Sequence, residues 1–434
     1  MKHTRRLIIS IACAAAALVF SSSPLNGQVY DVLDQVASSR DKAAGVEGPY
    51  RFDAAPLTPA PKGFKPFYIS HYGRHGSRYA WNPNTYTKIK DVLEAAKKAD
   101  ALTPRGKQLY KDYMDFYLIP LVNMGDLSEL GGYQHGEIAR IMCEEFPEVF
   151  KDGGKVLARA STSQRAIVSM NAFTVSFQKY APKIDLEVNS LHTNLPVVNS
   201  NGSPKEVARR FEGTVNVPES TNDFRERMTD YDGLFAKLFT DRSFFEEIGG
   251  RRNFVYELFN LWAGYHNYCD GDWLEDIFTK EQILAQWEIE NYSHYIGHTR
   301  NRYNQIPLLE DIITYADEAI DGGEYKGHFR FGHDTIVNAF IALINLDGTG
   351  HEITKAEDVK YWYQNFYTPM AANIQFVFYR SKKDPEILFK VLRNGQEATL
   401  PQLEAVDGPY YRWADFKTWA QALMKAHPQI TASR

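Results

Sequence analysis

Cysteine is scarce in this chain, with three residues in 434. One of them, Cys13, lies in an apolar leader, and the remaining two, Cys143 and Cys269, allow at most one disulfide. The protein is therefore not a cysteine-stapled scaffold and must stand on a hydrophobic core. Positive charge is not in excess either: 49 Lys and Arg face 54 Asp and Glu, for a formal net charge of −5. That balance argues against nucleic acid as a partner. The apolar run Leu7 to Phe20 is too short to span a bilayer comfortably. It follows Lys2, Arg5 and Arg6 and precedes small residues up to Gly27, the pattern of a secretory signal. Residues 1–27 are thus expected to be removed, leaving a soluble periplasmic or secreted chain with no membrane contact. Loss of the three positive residues takes its net charge to −8. There is no internal repeat and no low-complexity tract. A zinc-hydrolase helix is also missing: His294 and His298 have the i, i+4 spacing of a helical metal pair, but the "YIG" between them lacks the glutamate. The pair is expected to pack within a helix, and no metal or other cofactor is expected.

Core material is plentiful, at 44% hydrophobic and 14% aromatic residues. A chain of this length suggests two domains, or one with an insertion. Residues 45–65, with Pro56, Pro59 and Pro61, read as an extended lead-in. "FYIS" at 67–70 reads as a strand ended by Gly73 and Gly76, and "NTYTKIKDVLEAAKKAD" follows with helical spacing. The pattern recurs at "KVLA", 155–158, which runs into a helix from about Gln164 capped by Ser161, Thr162 or Ser163. It recurs again at "HFRF", 328–331, with Asp334 placed for a helix N-terminus. Three strand-to-helix junctions imply an α/β fold: a mostly parallel sheet flanked by helices, with ligands bound outside the carboxyl ends of the strands. Residues 201–325 carry long amphipathic, aromatic-rich stretches and no convincing strand, which predicts an inserted helical cap domain. The α/β core domain is then 28–200 plus 326–434. Near its end, "ANIQFVFYR" and "EILFKVLRN" read as an antiparallel hairpin, followed by the turn signal Asn394-Gly395.

Each junction delivers reactive groups. The first, "SHYGRHGSRY" at 70–79, crowds Arg74, His75 and Arg78; the second brings Arg159 and, six residues on, Arg165; the third brings His333 and Asp334. Like charges so close repel unless an anion lies between them, and in a globally acidic chain an anion needs such a local basic pocket. Arginine suits phosphate because its planar fork donates parallel hydrogen bonds and stays charged at any working pH. Donors fixed in advance also stabilise the charge that spreads over the phosphoryl oxygens in the transition state. A neutral imidazole can attack phosphorus, which leaves His75 and His333 as choices, and Asp334 can protonate the leaving oxygen. His71, at the strand end, is expected to be packed, and Arg165 to brace Arg159 or its own helix.

The Arg-His-Gly-x-Arg stretch at 74–78 and the later His333-Asp334 pair resemble the histidine acid phosphatases, branch 2 of the histidine phosphatase superfamily. "RASTSQR" at 159–165 is similar to that family's second arginine motif, and "GDLSELGGYQHG" at 125–136 to its Gly-x-Leu-Thr-x-x-Gly-x-x-Gln segment. The resemblance implies His75 as the phosphohistidine nucleophile, Arg74, Arg78 and Arg159 as the phosphate clamp, His333 as a further phosphate ligand and Asp334 as the proton donor. It implies an exported phosphomonoesterase acting on small phosphomonoesters, with inositol phosphates such as phytate as the leading substrates. A broad or sugar-phosphate acid phosphatase and a non-catalytic phosphate-ligand binder are the alternatives. Phytases of the family usually follow the first motif with Pro-Thr, where Tyr79, Ala80 and Trp81 stand here. Multiple inositol polyphosphate phosphatases carry His-Ala-Glu where this chain has His333-Asp334-Thr335.

Overall fold

The computed structural model describes residues 25–213 and 216–430. The signal segment expected over residues 1–27, Cys13 included, lies outside them except for its last three residues, which open helix α1 (Leu25–Ser38). No helix among the described residues is long and apolar enough to cross a membrane.

Eight strands form one mixed sheet: β1 (Phe64–Arg74), β2 (Gly154–Ala160), β3 (Ile184–Asn189), β4 (Tyr325–Gly332), β5 (Asn373–Ser381), β6 (Ile387–Arg393), β7 (Gln396–Ala398) and β8 (Tyr411–Arg412). Their order is β3-β2-β4-β1-β5-β6-β7, with β8 also paired to β6. The β3-β2-β4-β1 half is parallel. The other half is antiparallel and contains the expected hairpin, β5-β6; after it Asn394 and Gly395 adopt positive φ in the turn from β6 to β7. The parallel half is the one that carries the three junctions.

Side-chain alternation along the strands assigns the helices to faces. Ile69, Val156, Ala158, Phe329 and Phe331 face α4 (Glu129–Glu145) and α5 (Gln164–Tyr180), where Met142, Phe173 and Phe177 complete one core. His71 is packed on this same side, against Phe173, Phe329 and Phe331. Tyr68 and Tyr72 face the opposite way, onto α8 (Ile306–Ile320), α9 (Asp334–Leu343) and α10 (Trp413–Ala426).

A third core is wholly helical. It joins α2 (Asn84–Lys98) and α3 (Pro104–Phe116) to α6 (Arg251–Gly264) and to Trp287 of α7 (Lys280–Arg300). The helical layer thus draws on residues 84–116 as well as on the 201–325 segment, while the last helix of that segment, α8, packs on the sheet. α7 starts with a capping box, in which Thr279 and Gln282 satisfy each other's backbone N–H groups. Cys143 and Cys269 are both free thiols.

Candidate active site

The three parallel strands end at one edge of the sheet. Arg74 pairs in register with Gly332, and Ala160 with Phe331, so His75, His333 and Ser161 leave the sheet side by side. The His75 N–H donates to the Gly332 carbonyl at 2.9 Å and the Ser161 N–H to the Phe331 carbonyl at 2.9 Å. The rings of His75 and His333 then meet edge to face, their centroids 5.6 Å apart.

The loop carrying His75 rests on the start of α4. A Cβ on Gly76 would stand 2.5 Å from the Gly131 carbonyl oxygen, and one on Gly131 would stand 2.2 Å from that of Ser77. Only two glycines allow this approach. Ser128 accepts from the Gly131 N–H at 3.3 Å as the α4 cap and donates its hydroxyl to the Ser77 carbonyl at 3.0 Å. Gln134 accepts from the Ser77 N–H at 2.8 Å, and His135 Nε2 donates to the Arg74 carbonyl at 3.0 Å. Ser169 of α5 accepts from the Gly76 N–H at 3.0 Å. The "GDLSELGGYQHG" segment is therefore the bed on which the first motif is held.

His75 is buried, and its Nδ1 donates to the Gly76 carbonyl at 2.9 Å. That bond fixes the tautomer and leaves Nε2 with a free lone pair. Burial, then Arg74, Arg78 and Arg165, hold the imidazole well below its ordinary pKa, so it is neutral. His333 shares a hydrogen bond between Nε2 and the Ser161 hydroxyl, 2.9 Å, and is pushed down to about 4 by burial and then by Arg165.

Arg74 is completely buried, with Nη1 donating to the Val46 and Thr368 carbonyls; Nε and Nη2 have no hydrogen-bond partner among the described residues, Nη2 standing 4.0 Å from the Glu47 carboxylate. Arg78 gives Nη2 to Glu47 at 3.0 Å and Nη1 to the Tyr79 carbonyl at 3.2 Å, and its Nε is unpartnered. Arg165 Nε is also buried without an acceptor, and burial followed by Arg78 pushes its pKa down to about 10. Buried donors left unpaired are costly. Three guanidiniums with spare N–H groups around one imidazole make a socket for an anion rich in acceptor oxygens. Burial raises the pKa of Asp334, but Arg74, His298, His294 and Arg78 lower it by more, holding the carboxyl below its ordinary range.

These groups surround a cavity of about 460 Å³. Of the residues singled out in the sequence, His75, Arg78, His333 and Asp334 line it, and Arg74 lies buried at the strand end beneath His75. Arg159 does not reach it. In β2 the residues Val156, Ala158 and Ala160 face α4 and α5, so Arg159 between them points to the other side. There it pairs with Asp311 of α8 at 2.5 Å, beside Arg330 of β4, which pairs with the same carboxylate at 2.5 Å. Arg165, expected to brace Arg159 or its own helix, instead lines the cavity from the first turn of α5.

Glu47 also lines the cavity and was missed by sequence reasoning; His294 and His298, expected only to pack within a helix, line it as well. Glu47 had no local signal. The histidine pair was visible as a pair but gave no sign of its neighbour: His294, His298 and Asp334 bring one ligand atom each within 4.8 Å of one another, the described group able to hold a metal ion.

No protein-family model and no curated protein matches this sequence. Solved structures do match. The multiple inositol polyphosphate phosphatase of Bifidobacterium longum, in complex with inositol hexasulfate, superposes with a TM-score of 0.70 at 18% identity, covering 87% of this chain and 97% of that one. Its complex with phosphate gives 0.71 at 18% identity, with 88% and 98% covered. The phytase from D. castellii gives 0.66 at 16% identity, with 89% and 86% covered. The fold expected from the motif resemblance, that of the histidine acid phosphatases, is the fold observed.

Proposed function

We propose that this protein is an exported phosphomonoesterase that works through a phosphohistidine at His75. The observation that carries the reading is the tautomer-locked, neutral His75 ringed by guanidinium N–H groups that have no hydrogen-bond acceptor among the described residues. Nε2 of His75 attacks phosphorus as the bond from phosphorus to the leaving alkoxide breaks, and Asp334, whose carboxylate takes up a proton when the negative phosphate settles against the arginines that otherwise hold it ionised, gives that oxygen the proton. Arg74, Arg78 and Arg165, with His333, hold the three non-bridging oxygens through the transition state. Water then attacks the phosphohistidine, its proton passes to Asp334, the nitrogen–phosphorus bond breaks and inorganic phosphate leaves.

Inositol phosphates, phytate among them, are the substrates that the motif resemblance and the fold neighbours support. One feature of the cavity favours a second reading. Among the described residues its lining includes no lysine and two arginines, both at the phosphoryl end, and the remaining wall offers Trp81, Tyr256, Asn260 and Glu290. Aromatic faces, an amide and a carboxylate suit the hydroxyls of a sugar phosphate. The deciding experiment measures phosphate release from phytate, glucose 1-phosphate and an aryl phosphate at pH 3 to 9 with chelator present, for wild type and His75→Ala. Turnover by wild type and none by the variant supports the mechanism, and the ratio of phytate to glucose 1-phosphate chooses the substrate class. No hydrolysis at any pH would make the socket a binding site and end the enzymatic reading.

A further inference from the structure

We infer that His294, His298 and Asp334 form a site for a borderline-soft divalent cation, zinc above all, that shares Asp334 with the phosphoryl pocket and stops turnover when filled. The two histidines lie one turn apart on α7, so their rings project from one face and stack with centroids 5.4 Å apart. Nδ1 of His294 donates to the Glu290 carbonyl at 2.7 Å. That bond leaves Nε2 as the bare nitrogen, the same backbone support that orients ligating histidines in zinc proteins.

Asp334 arrives from a distant part of the chain, as the first residue of α9, and supplies the carboxylate that "YIG" could not. All three residues line the cavity, so an ion has a way in and a fourth coordination position open to solvent. Two imidazoles and one carboxylate with an open position is the donor set of three-ligand zinc centres, and it disfavours magnesium and calcium, which take oxygen ligands. With metal–ligand bonds of about 2.0–2.1 Å the ligand atoms of a tetrahedral site stand about 3.4 Å apart. Each side chain needs to close by only about 1 Å from the 4.8 Å envelope, a rotamer adjustment.

A cation here draws an Asp334 carboxylate oxygen into its coordination shell, so the carboxyl is no longer free to carry the proton for the leaving group. Only this consequence rests on the phosphatase reading; the metal site itself does not.

The test uses the full chelator-treated chain and Zn²⁺ alone. Equilibrium dialysis or calorimetry at neutral pH should find one equivalent bound by wild type, weakened at least about tenfold by His294→Ala and by His298→Ala. Co²⁺ in place of zinc should give the visible absorption of a four- or five-coordinate site in wild type and not in the variants. Zinc should abolish wild-type phosphate release, EDTA should restore it, and His294→Ala should keep whatever activity it has in chelator when zinc is added. Absence of zinc binding, or equal binding by wild type and both variants, overturns the site. If His298→Ala fails to fold, His294→Ala and the Co²⁺ spectrum decide alone, since His294 is only half-buried. Turnover in chelator without zinc binding refutes the metal site and spares the phosphatase. Zinc binding without turnover in chelator does the reverse.

Discussion

At the scale of single residues, the site turns on which arginine is inside it. Arg159 and Arg165 both belong to the "RASTSQR" stretch, yet Arg165 lines the cavity and Arg159 is tied to Asp311 across the sheet. Arg165→Ala should therefore lower kcat/KM by about 10²–10³, the usual cost of losing one donor to a developing charge. Arg159→Ala should leave kcat/KM within a few fold and show its effect in unfolding instead. Steady-state kinetics on an aryl phosphate compare the two directly. His75 offers a second check. Because burial and the arginines hold its folded pKa well below 6.5, the ring stays neutral as pH falls through the range where an ordinary histidine charges. Its imidazole NMR signals should keep their neutral positions from pH 8 to pH 5, and a midpoint near 6.5 would remove the argument for a ready nucleophile.

Elements place these residues through contacts that tolerate little change. Gly131 lets the first turn of α4 meet the His75 loop, and a methyl group there would overlap the Ser77 carbonyl. Gly131→Ala should cost about 1–3 kcal/mol and displace the loop, lowering kcat more than an equally destabilising change elsewhere. Urea unfolding together with kinetics would separate the two effects.

Helix α8 is joined to the sheet by Asp311, whose carboxylate serves the buried Arg330 and Arg159. Burial raises its pKa, but Arg330 and then Arg159 lower it further, leaving it below the ordinary value. A folded-state pKa below the unfolded value of about 3.9 gives stability that is present above that value and lost as pH falls through the folded one. Asp311→Asn should remove about 3–5 kcal/mol near neutral pH, because two buried guanidiniums lose their counter-charge. It should also flatten the decline in stability below pH 4, which urea unfolding across pH would show.

On the scale of the whole molecule, the cavity lies where the sheet edge meets the helical layer, with His75, His333 and Asp334 on one side and Tyr256, Phe259 and Trp287 on the other. A ligand that bridges these walls stabilises the folded chain by mass action. Phosphate at a hundredfold excess over its Kd should add about 2.7 kcal/mol, read as a rise in Tm over an equal ionic strength of chloride. Arg165→Ala should lose most of that rise, and an unchanged Tm in wild type would mean the socket does not hold phosphate.

Strand-to-helix junctions were legible in the sequence because each is a local pattern: an apolar run, a glycine or serine, then helical spacing. Hence β1, β2 and β4, the helix from Gln164 and Asp334 at a helix start were all open to reading, as were His75, Arg78, His333 and Asp334 as groups at the strand ends that line one cavity. The direction of Arg159 was also latent in the alternation of Val156, Ala158 and Ala160, although its motif pointed elsewhere. What no local pattern holds is the meeting of residues far apart in the chain. Glu47 beside Arg78, α2 and α3 sharing a core with α6, and Asp334 closing on His294 and His298 depend on how whole layers pack. Sequence by itself determined which chemical groups stand at the strand ends, since backbone periodicity is local. Tertiary structure decided which of them share one cavity, since that follows from long-range burial of apolar faces.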